Sequence, residues 1–390
     1  MMAEISIENS IFLIFTGAAV LATIALFARQ TMIVAYILLG IILGPWGLGL
    51  VDDADLIKDI SNIGIIFLLY LLGLDLFPQQ LWKMLGEALS ATVISSIIFS
   101  LIGFGIGYLF GFPMLESVLI GAVMMFSSTI IGVKLLPTTI LHHRHVGQMI
   151  ISVLLLQDLL AILILLLLQG YGKGGNLLMD IGWQIATLPV LIAIAWLLEQ
   201  FVLVKLIARF DQIHEYIFLL AIAWCLGIAE LAVTMGLSHE IGAFIAGVTL
   251  ASSPIALFIT DKLKPIRDFF LIIFFFALGA TFNMSVISEI IIPATLLALC
   301  IIIIKPIVFR KLFIWAGEKK DISKEVGIRL GQISEFSLLI AVLAVESRFI
   351  EENTSSLIQL ATLLTFVVSS YIIVLRYPTP IAVTDRLRRD

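Results

Sequence analysis

A carboxylate in the middle of an apolar run is the first chemistry this chain offers. In LLLQDLLAIL, residues 154–163, Asp158 stands beside Gln157 within an apolar stretch that reaches from Val146 to Leu168. Away from water a carboxylate binds a proton more readily, and it also offers compensating charge to a dehydrated alkali cation. One group can therefore hold either. Lys305, in CIIIIKPIVF, is a second ionisable group deep in an apolar run and a candidate counter-charge for Asp158 when no cation is bound; Pro306 after it removes a helix hydrogen bond.

Two polar runs add oxygen and nitrogen groups at related positions. FSSTIIG carries Ser127, Ser128 and Thr129, and GQISEFSLL carries Gln332, Ser334 and Glu335. With Gly121, Gly132 and Gly331 nearby, helices that unwind here would leave carbonyls and hydroxyls free to coordinate a cation. If both runs break and cross, Glu335 and Lys134 would sit where unlike helix-end charges need neutralising. Asp75, Lys134, Glu199 and Glu230 lie nearer the ends of their apolar runs, where snorkelling or water serves them.

The elements that position these groups must be membrane helices. Of 390 residues 61% are hydrophobic and only 13% charged, and the mean hydropathy is +1.15. This is the composition of an all-α polytopic membrane protein. Thirteen apolar spans are expected, at about 10–28, 31–50, 59–77, 87–111, 115–136, 146–169, 180–206, 214–235, 239–254, 265–282, 288–310, 324–347 and 354–376. Of the 23 Lys and Arg, seventeen fall in loops after odd-numbered spans or in the tail, and three (Lys58, Lys173 and Arg348) fall in the opposite loops. That bias places the N-terminus outside and the C-terminus in the cytoplasm of a cell inner (plasma) membrane protein. The acidic N-terminus lacks the basic start of a signal peptide, so the first span is expected to remain.

Other features have plainer readings. The net charge of −5 gives no nucleic-acid signal, because topology accounts for the basic residues. Cys225 and Cys300 lie within different spans and are read as small apolar groups rather than a disulfide or metal site. HHRH at 142–145 is read as a solvated basic loop, and YGKGGN at 171–176, which lacks the strand and GK[ST] ending of a phosphate loop, as an external turn.

Displacing the chain by 206 or 207 positions brings its halves into partial agreement. FLLYLLGLDLF at 67–77 falls on IFFFALGATFN at 273–283, with Gly73 over Gly279, and Gly40 falls on Gly247. Ser127 and Ser128 fall near Ser334. An offset of about seven helices implies two inverted six-helix repeats, spans 1–6 (residues 6–170) and 8–13 (214–377), with span 7 (180–206) as linker. Residues 378–390 form a short cytoplasmic tail in this reading.

Taken in order, LLGIILGPWGLGLV, GLDLFPQQLWKM, FSSTIIGVKLL, LLLQDLLAI, GLSHEIGAFIAGVTLASS, Lys305 and LGQISEFSLLI resemble the monovalent cation:proton antiporter-2 family, in its Kef-type potassium/proton branch. The resemblance implies a thirteen-helix fold with a core and a dimerisation domain, spans 5 and 12 as crossed discontinuous helices, and Asp158 as the ion and proton carrier. It matches Lys305 to the family's core lysine, and Ser128, Thr129, Ser334 and Glu335 to its crossover positions. Gln157 takes the place that other branches fill with a second Asp or an Asn, which makes one-for-one, electroneutral exchange the simpler expectation. Many Kef-type chains continue into a nucleotide-binding regulatory domain; TDRLRRD ends this sequence without a strand and GxGxxG, so none is expected, and a separately encoded regulatory subunit is the alternative.

The function expected is antiport of K⁺, with Na⁺ as runner-up, against H⁺ by a homodimer with no cofactor. A gated K⁺ efflux channel is the reading from another class; the sequence has no TVGYG-type filter. No paired catalytic carboxylates, HExxH or nucleophile elbow marks an enzyme.

Overall fold

The computed structural model describes residues 7–51, 54–76, 78–136, 145–171, 177–210, 212–253 and 255–379, and its regular elements are helices. The first half holds α1 (Ile7–Phe27), α2 (Met32–Leu43), α3 (Ala54–Asp75), α4 (Pro78–Leu109), α5 (Met114–Met124), α6 (Thr129–Lys134) and α7 (His145–Tyr171). After α8 (Leu177–Leu198) a π turn at Glu199–Leu203 leads into α9 (Val204–Arg209). The second half holds α10 (His214–Thr234), α11 (His239–Ala251), α12 (Ala256–Ala280), α13 (Ile287–Trp315), α14 (Lys320–Arg329), α15 (Glu335–Glu346) and α16 (Glu352–Arg376).

Among the described residues, eight helical segments are long and apolar enough to cross a membrane, and three shorter apolar ones lie at 32–43, 60–74 and 239–251. The chain is a multi-pass membrane protein. That count is smaller than the thirteen expected spans for a physical reason. α2 and α11 are short, α12 begins at Ala256 and carries Lys262, Lys264 and Arg267 ahead of its apolar half, and the expected span at 324–347 is split into α14 and α15. The span expected at 59–77 is the fifth, its apolar part in α3 reaching only from 60 to 74, whereas the run at 115–136 is counted although it is broken between α5 and α6.

The helices sort into two bundles. In one, α3 packs on α11 and α12, α2 on α12 and α1, and α10 on α11. In the other, α4 packs on α5, α7 and α13, while α13 packs on α14 and α16 and α15 on α16 and α7. α8 touches α7 on one side and α11 on the other.

Close glycine contacts hold the first bundle together. A Cβ on Gly40 would stand 2.0 Å from the Phe276 carbonyl oxygen, and one on Gly279 would stand 2.0 Å from that of Ile37. A Cβ on Gly247 would meet the Tyr70 carbonyl at 2.1 Å, and one on Gly73 that of Phe244 at 2.4 Å. Backbone meets backbone at both crossings, the approach that small residues permit where helix association rests on packing.

Candidate functional site

Two helices of the second bundle are interrupted where the polar runs lie. α5 ends at Met124 and α6 starts at Thr129; α14 ends at Arg329 and α15 starts at Glu335. Each interruption frees backbone groups that nothing within the helix can satisfy, and their buried position demands partners.

Side chains supply them. Gln157 of α7 spans the first gap: its Oε1 accepts from the Ser127 N–H at 2.8 Å, and its Nε2 donates to the Met125 carbonyl at 3.0 Å. Ser127 Oγ crosses to the second gap and donates to the Leu330 carbonyl at 2.9 Å. In return Gln332 Nε2 donates to the Ser128 carbonyl at 3.3 Å and to that of Arg329 at 3.0 Å. Ser128 Oγ accepts from the Ile131 N–H at 3.1 Å, and Ser334, the N-cap of α15, accepts from the Phe336 N–H at 3.1 Å. The two interrupted segments are thus bonded to each other.

Charge at the crossing follows the helix ends. Fully buried Lys305 of α13 directs its ammonium at the carbonyls that follow the C-terminal ends of α5 and α14. It donates to the Phe126 carbonyl at 2.5 Å, to the Gln332 carbonyl at 3.1 Å and to Ser127 Oγ at 3.4 Å, and stands 5.2 Å from the centre of the Phe99 ring. Glu335, also buried, lies at the N-terminal side, where its Oε1 accepts from the Ile130 N–H in the first turn of α6 at 3.2 Å. A cation thus faces the negative helix ends and a carboxylate the positive ones, which is the favourable sense of the helix dipole. Arg329 continues the pattern, donating to the Leu135 carbonyl beyond α6 at 3.1 Å and to that of Pro378 at 3.0 Å, while pairing with Glu325 at 3.0 Å.

Local sequence explains why Lys305 reaches both gaps. α13 runs through Pro306 as one helix, and α14 lies hard against that turn; a Cβ on Gly327 would come within 2.7 Å of the Pro306 carbonyl oxygen. Only glycine permits this approach, and it brings Gln332 within range of the ammonium.

Asp158 stands at the midpoint of α7, 3% exposed, one residue beyond the Gln157 that is bonded to the first gap. Two buried oxygens nearby in sequence to these contacts, Thr129 Oγ1 and Glu335 Oε2, have no hydrogen-bond partner. Carboxylates, hydroxyls and gap carbonyls are hard oxygen donors suited to an alkali cation or a proton. Among the described residues no cluster of three His, Cys, Asp or Glu is placed to hold a metal ion.

Sequence reasoning expected Lys134 as the cation of the crossing. Its side chain lies outside the described residues; among the described residues, Lys305 donates to the gap carbonyls. The histidines at 142 and 143 also lie outside the described residues, as do 172–176 and 380–390. His145 is described and pairs with Glu318 at 2.7 Å, tying the start of α7 to the turn after α13. Both cysteines are free, Cys225 buried and Cys300 half-buried. The sequence did not single out Thr365, which accepts from the Ile333 N–H at 3.1 Å, or Ser369, which donates to Gln332 Oε1 at 3.0 Å, or Ser337, which donates to the Val123 carbonyl at 2.6 Å. A signal for the first two was present: Thr362, Thr365 and Ser369 recur at helical spacing on one buried face of α16.

Comparison with known proteins agrees with this geometry. The profile of the family described as "Sodium/hydrogen exchanger, transmembrane" matches residues 12–375. The chain is 28% identical over 356 residues to K(+) efflux antiporter 4 of Arabidopsis thaliana, covering 87% of this chain and 59% of that protein. It is 28% identical over 375 residues to the glutathione-regulated potassium-efflux system protein KefC of Salmonella arizonae, covering 93% of this chain and 59% of that one. The chain therefore spans about three fifths of the length of these two relatives. Among solved structures, the sodium proton antiporter MjNhaP1 from Methanocaldococcus jannaschii shares the fold, with a TM-score of 0.69 at 21% identity over 93% of this chain and 95% of that one. The chain belongs to the sodium/hydrogen exchanger transmembrane family, and its motifs are Kef-type.

Proposed function

We propose that this chain is a secondary active transporter that exchanges a monovalent cation for protons by alternating access. The observation that carries the reading is the crossing itself. Two interrupted helices, closed by Lys305 on one side and Glu335 on the other, lie beside the helix that bears Asp158. Interrupted helices with satisfied ends are how transporters build an ion site at mid-membrane. In this reading Asp158 holds a proton or a cation in turn, with Thr129 and Ser128 as oxygen ligands and Gln157 as the residue that holds the first gap open. Lys305 balances the charge of the crossing as the occupant of Asp158 changes.

K⁺ is favoured as the cation by the Kef-type motifs and by relatives named as potassium-efflux proteins; Na⁺ is the runner-up. One carboxylate at this position favours one-for-one, electroneutral exchange. The bundle of α4–α7 and α13–α16 is the moving core, and the bundle of α1–α3 and α10–α12 is the scaffold and dimerisation surface. Among the described residues, counting α5 with α6, α8 with α9, and α14 with α15 as single crossings gives thirteen, and the Lys and Arg bias of the loops supports an N-terminus outside and a cytoplasmic C-terminus.

The glycine pairs support the inverted repeat. Displacement by 206 or 207 carries Gly40 to Gly247 and Gly73 to Gly279, so the contact of Gly40 with Phe276 maps onto that of Gly247 with Tyr70. Contacts exchanged in this way are what a two-fold relation between halves produces. An ion channel, the reading from another class, would need a continuous conducting path, whereas the gaps here are bonded shut.

The test is dye-monitored proton flux in vesicles holding the purified protein, with K⁺, Na⁺ and Li⁺ added in turn and the voltage varied. Proton flux on addition of K⁺, insensitive to voltage, is the expected result. Cation currents without proton movement would replace antiport by a channel.

A further inference from the structure

Ser127 and Ile333 occupy the same place in their gaps, each two residues ahead of the point where a helix restarts, α6 at Thr129 and α15 at Glu335. Each N–H is accepted by a side chain from the last helix of its half. Gln157 of α7 takes the first at 2.8 Å, and Thr365 of α16 takes the second at 3.1 Å. Displacement by 206 carries Ser127 to Ile333, and displacement by 207 carries Asp158 to Thr365. The position that bears a carboxylate in the first half thus bears a neutral hydroxyl in the second, and that hydroxyl bonds the gap.

The hydrogen of the Thr365 hydroxyl goes to the Thr362 carbonyl one turn back, at 2.8 Å. Toward the second gap the oxygen can therefore only accept, which is what the Ile333 N–H requires. One turn further along the same face, Ser369 Oγ donates to Gln332 Oε1 at 3.0 Å. The Gln332 amide nitrogen is spent on the Ser128 and Arg329 carbonyls. A line of bonds thus runs from α16 through the Gln332 amide to Ser128 in the opposite gap. Thr365, Ser369, Gln332 and Ser128 are all buried, so a bond lost from this line leaves a polar atom stranded. Thr362 gives an internal comparison: it lies on the same buried face, but its hydroxyl donates to the Ile358 carbonyl of its own helix.

We propose that Thr365 and Ser369 are positioning residues of the ion site: they fix the second gap and, through Gln332, hold Ser128 and Thr129 where an alkali cation meets them. The proposal rests on the antiport reading and adds two residues of α16 to it. Neither hydroxyl touches the ion. They act on affinity, because a ligand loop already held in place need not be ordered at each binding event. α14, α15, α16 and both gaps belong to one bundle, so these bonds travel with the core. The speed of its movement does not depend on them.

The test uses the full chain in vesicles, with proton flux driven by graded K⁺. Thr365→Val and Ser369→Ala are expected to raise the KM for K⁺ by about 3- to 10-fold, while flux at saturating K⁺ stays within about twofold of wild type. Thr365→Ser and Ser369→Thr keep the hydroxyls and are expected to keep the wild-type KM, as is Thr362→Val. Hydrogen exchange on the purified proteins reads the geometry without transport. Ser369→Ala is expected to speed exchange at residues 128–132, across the crossing from the substitution, and Thr365→Val to speed it at residue 333. A fall in saturating flux at constant KM, or a Thr362→Val shift as large as that of Thr365→Val, overturns the proposal; so does unchanged exchange at residues 128–132 in Ser369→Ala. If Thr365→Val does not fold, Ser369→Ala and its rescue by Ser369→Thr decide. Absent K⁺-driven flux in the wild type is a separate result that removes the antiport reading, and the exchange at residues 128–132 then decides the positioning by itself.

Discussion

Lys305 Nζ donates to the Phe126 carbonyl at 2.5 Å and to the Gln332 carbonyl at 3.1 Å, so a single ammonium ties together two helix gaps more than 200 residues apart in the chain. Both acceptors are carbonyls of buried residues at interrupted helix ends. Removing the cation should therefore damage architecture as well as transport. Lys305→Met is expected to lower the melting temperature of the purified protein, because each orphaned buried carbonyl costs about 1–3 kcal/mol. Lys305→Arg keeps the charge but replaces a compact ammonium by a planar fork, and is expected to recover stability in part without recovering exchange. A melting temperature unchanged in Lys305→Met would show that these bonds hold nothing.

Gln157 acts as a detached peptide unit, accepting from Ser127 and donating to Met125. Gln157→Leu preserves volume and removes both bonds, with an expected loss of about 1–3 kcal/mol per unpaired group. Gln157→Glu keeps the acceptor for Ser127 and can bond Met125 only when protonated, so its stability is expected to fall as pH rises while that of the wild type does not. Thermal melts of the three proteins across pH measure this directly. Parallel curves for Gln157→Glu and wild type would contradict the clamp.

How much of this was legible beforehand depends on what kind of atom does the work. Asp158, Lys305 and Glu335 stood out because charge is rare in apolar helices, and the paired interruptions were marked by hydroxyl runs. Phe126, Gln332 and Leu330 act through backbone carbonyls, which every residue possesses, so their types announced nothing. The acceptors around Lys305 were hidden for the same reason. Asp158 was the visible candidate, while the acceptors around the ammonium are carbonyls and a serine. Helix limits failed where composition misleads: α12 starts with charged residues, and α2 stops at Leu43 although apolar residues continue into the turn at Gly44.

Glycine substitutions separate close packing from mere flexibility. Gly40→Val and Gly247→Val would drive a side chain into the Phe276 and Tyr70 carbonyls, and both are expected to prevent accumulation of folded protein. Gly105 of α4 has nothing within 4 Å of an added Cβ, so Gly105→Ala is expected to be tolerated and to gain up to about 1 kcal/mol from helix propensity. Yield and monodispersity on size-exclusion chromatography report the difference. Equal tolerance at Gly40 and Gly105 would mean that the α2–α12 crossing is looser than described.

Arg329 joins the inner end of the crossing to the chain after α16 through the Pro378 carbonyl, and its guanidinium lies 5.4 Å from the centre of the Tyr377 ring. Arg329→Met is expected to free that segment and raise hydrogen exchange at residues 377–379 together with residues 135–136, since one guanidinium serves both. Faster exchange at only one of the two sites would show that they are held separately.

The central claim is that Asp158 carries the exchanged ion and proton, and proton flux in vesicles holding Asp158→Asn beside the wild type tests it most directly. The substituted amide keeps shape but can neither bind a proton at working pH nor compensate a cation. The account predicts that K⁺-driven proton flux vanishes in Asp158→Asn while the protein stays folded and monodisperse; flux that persists at the wild-type rate would contradict it.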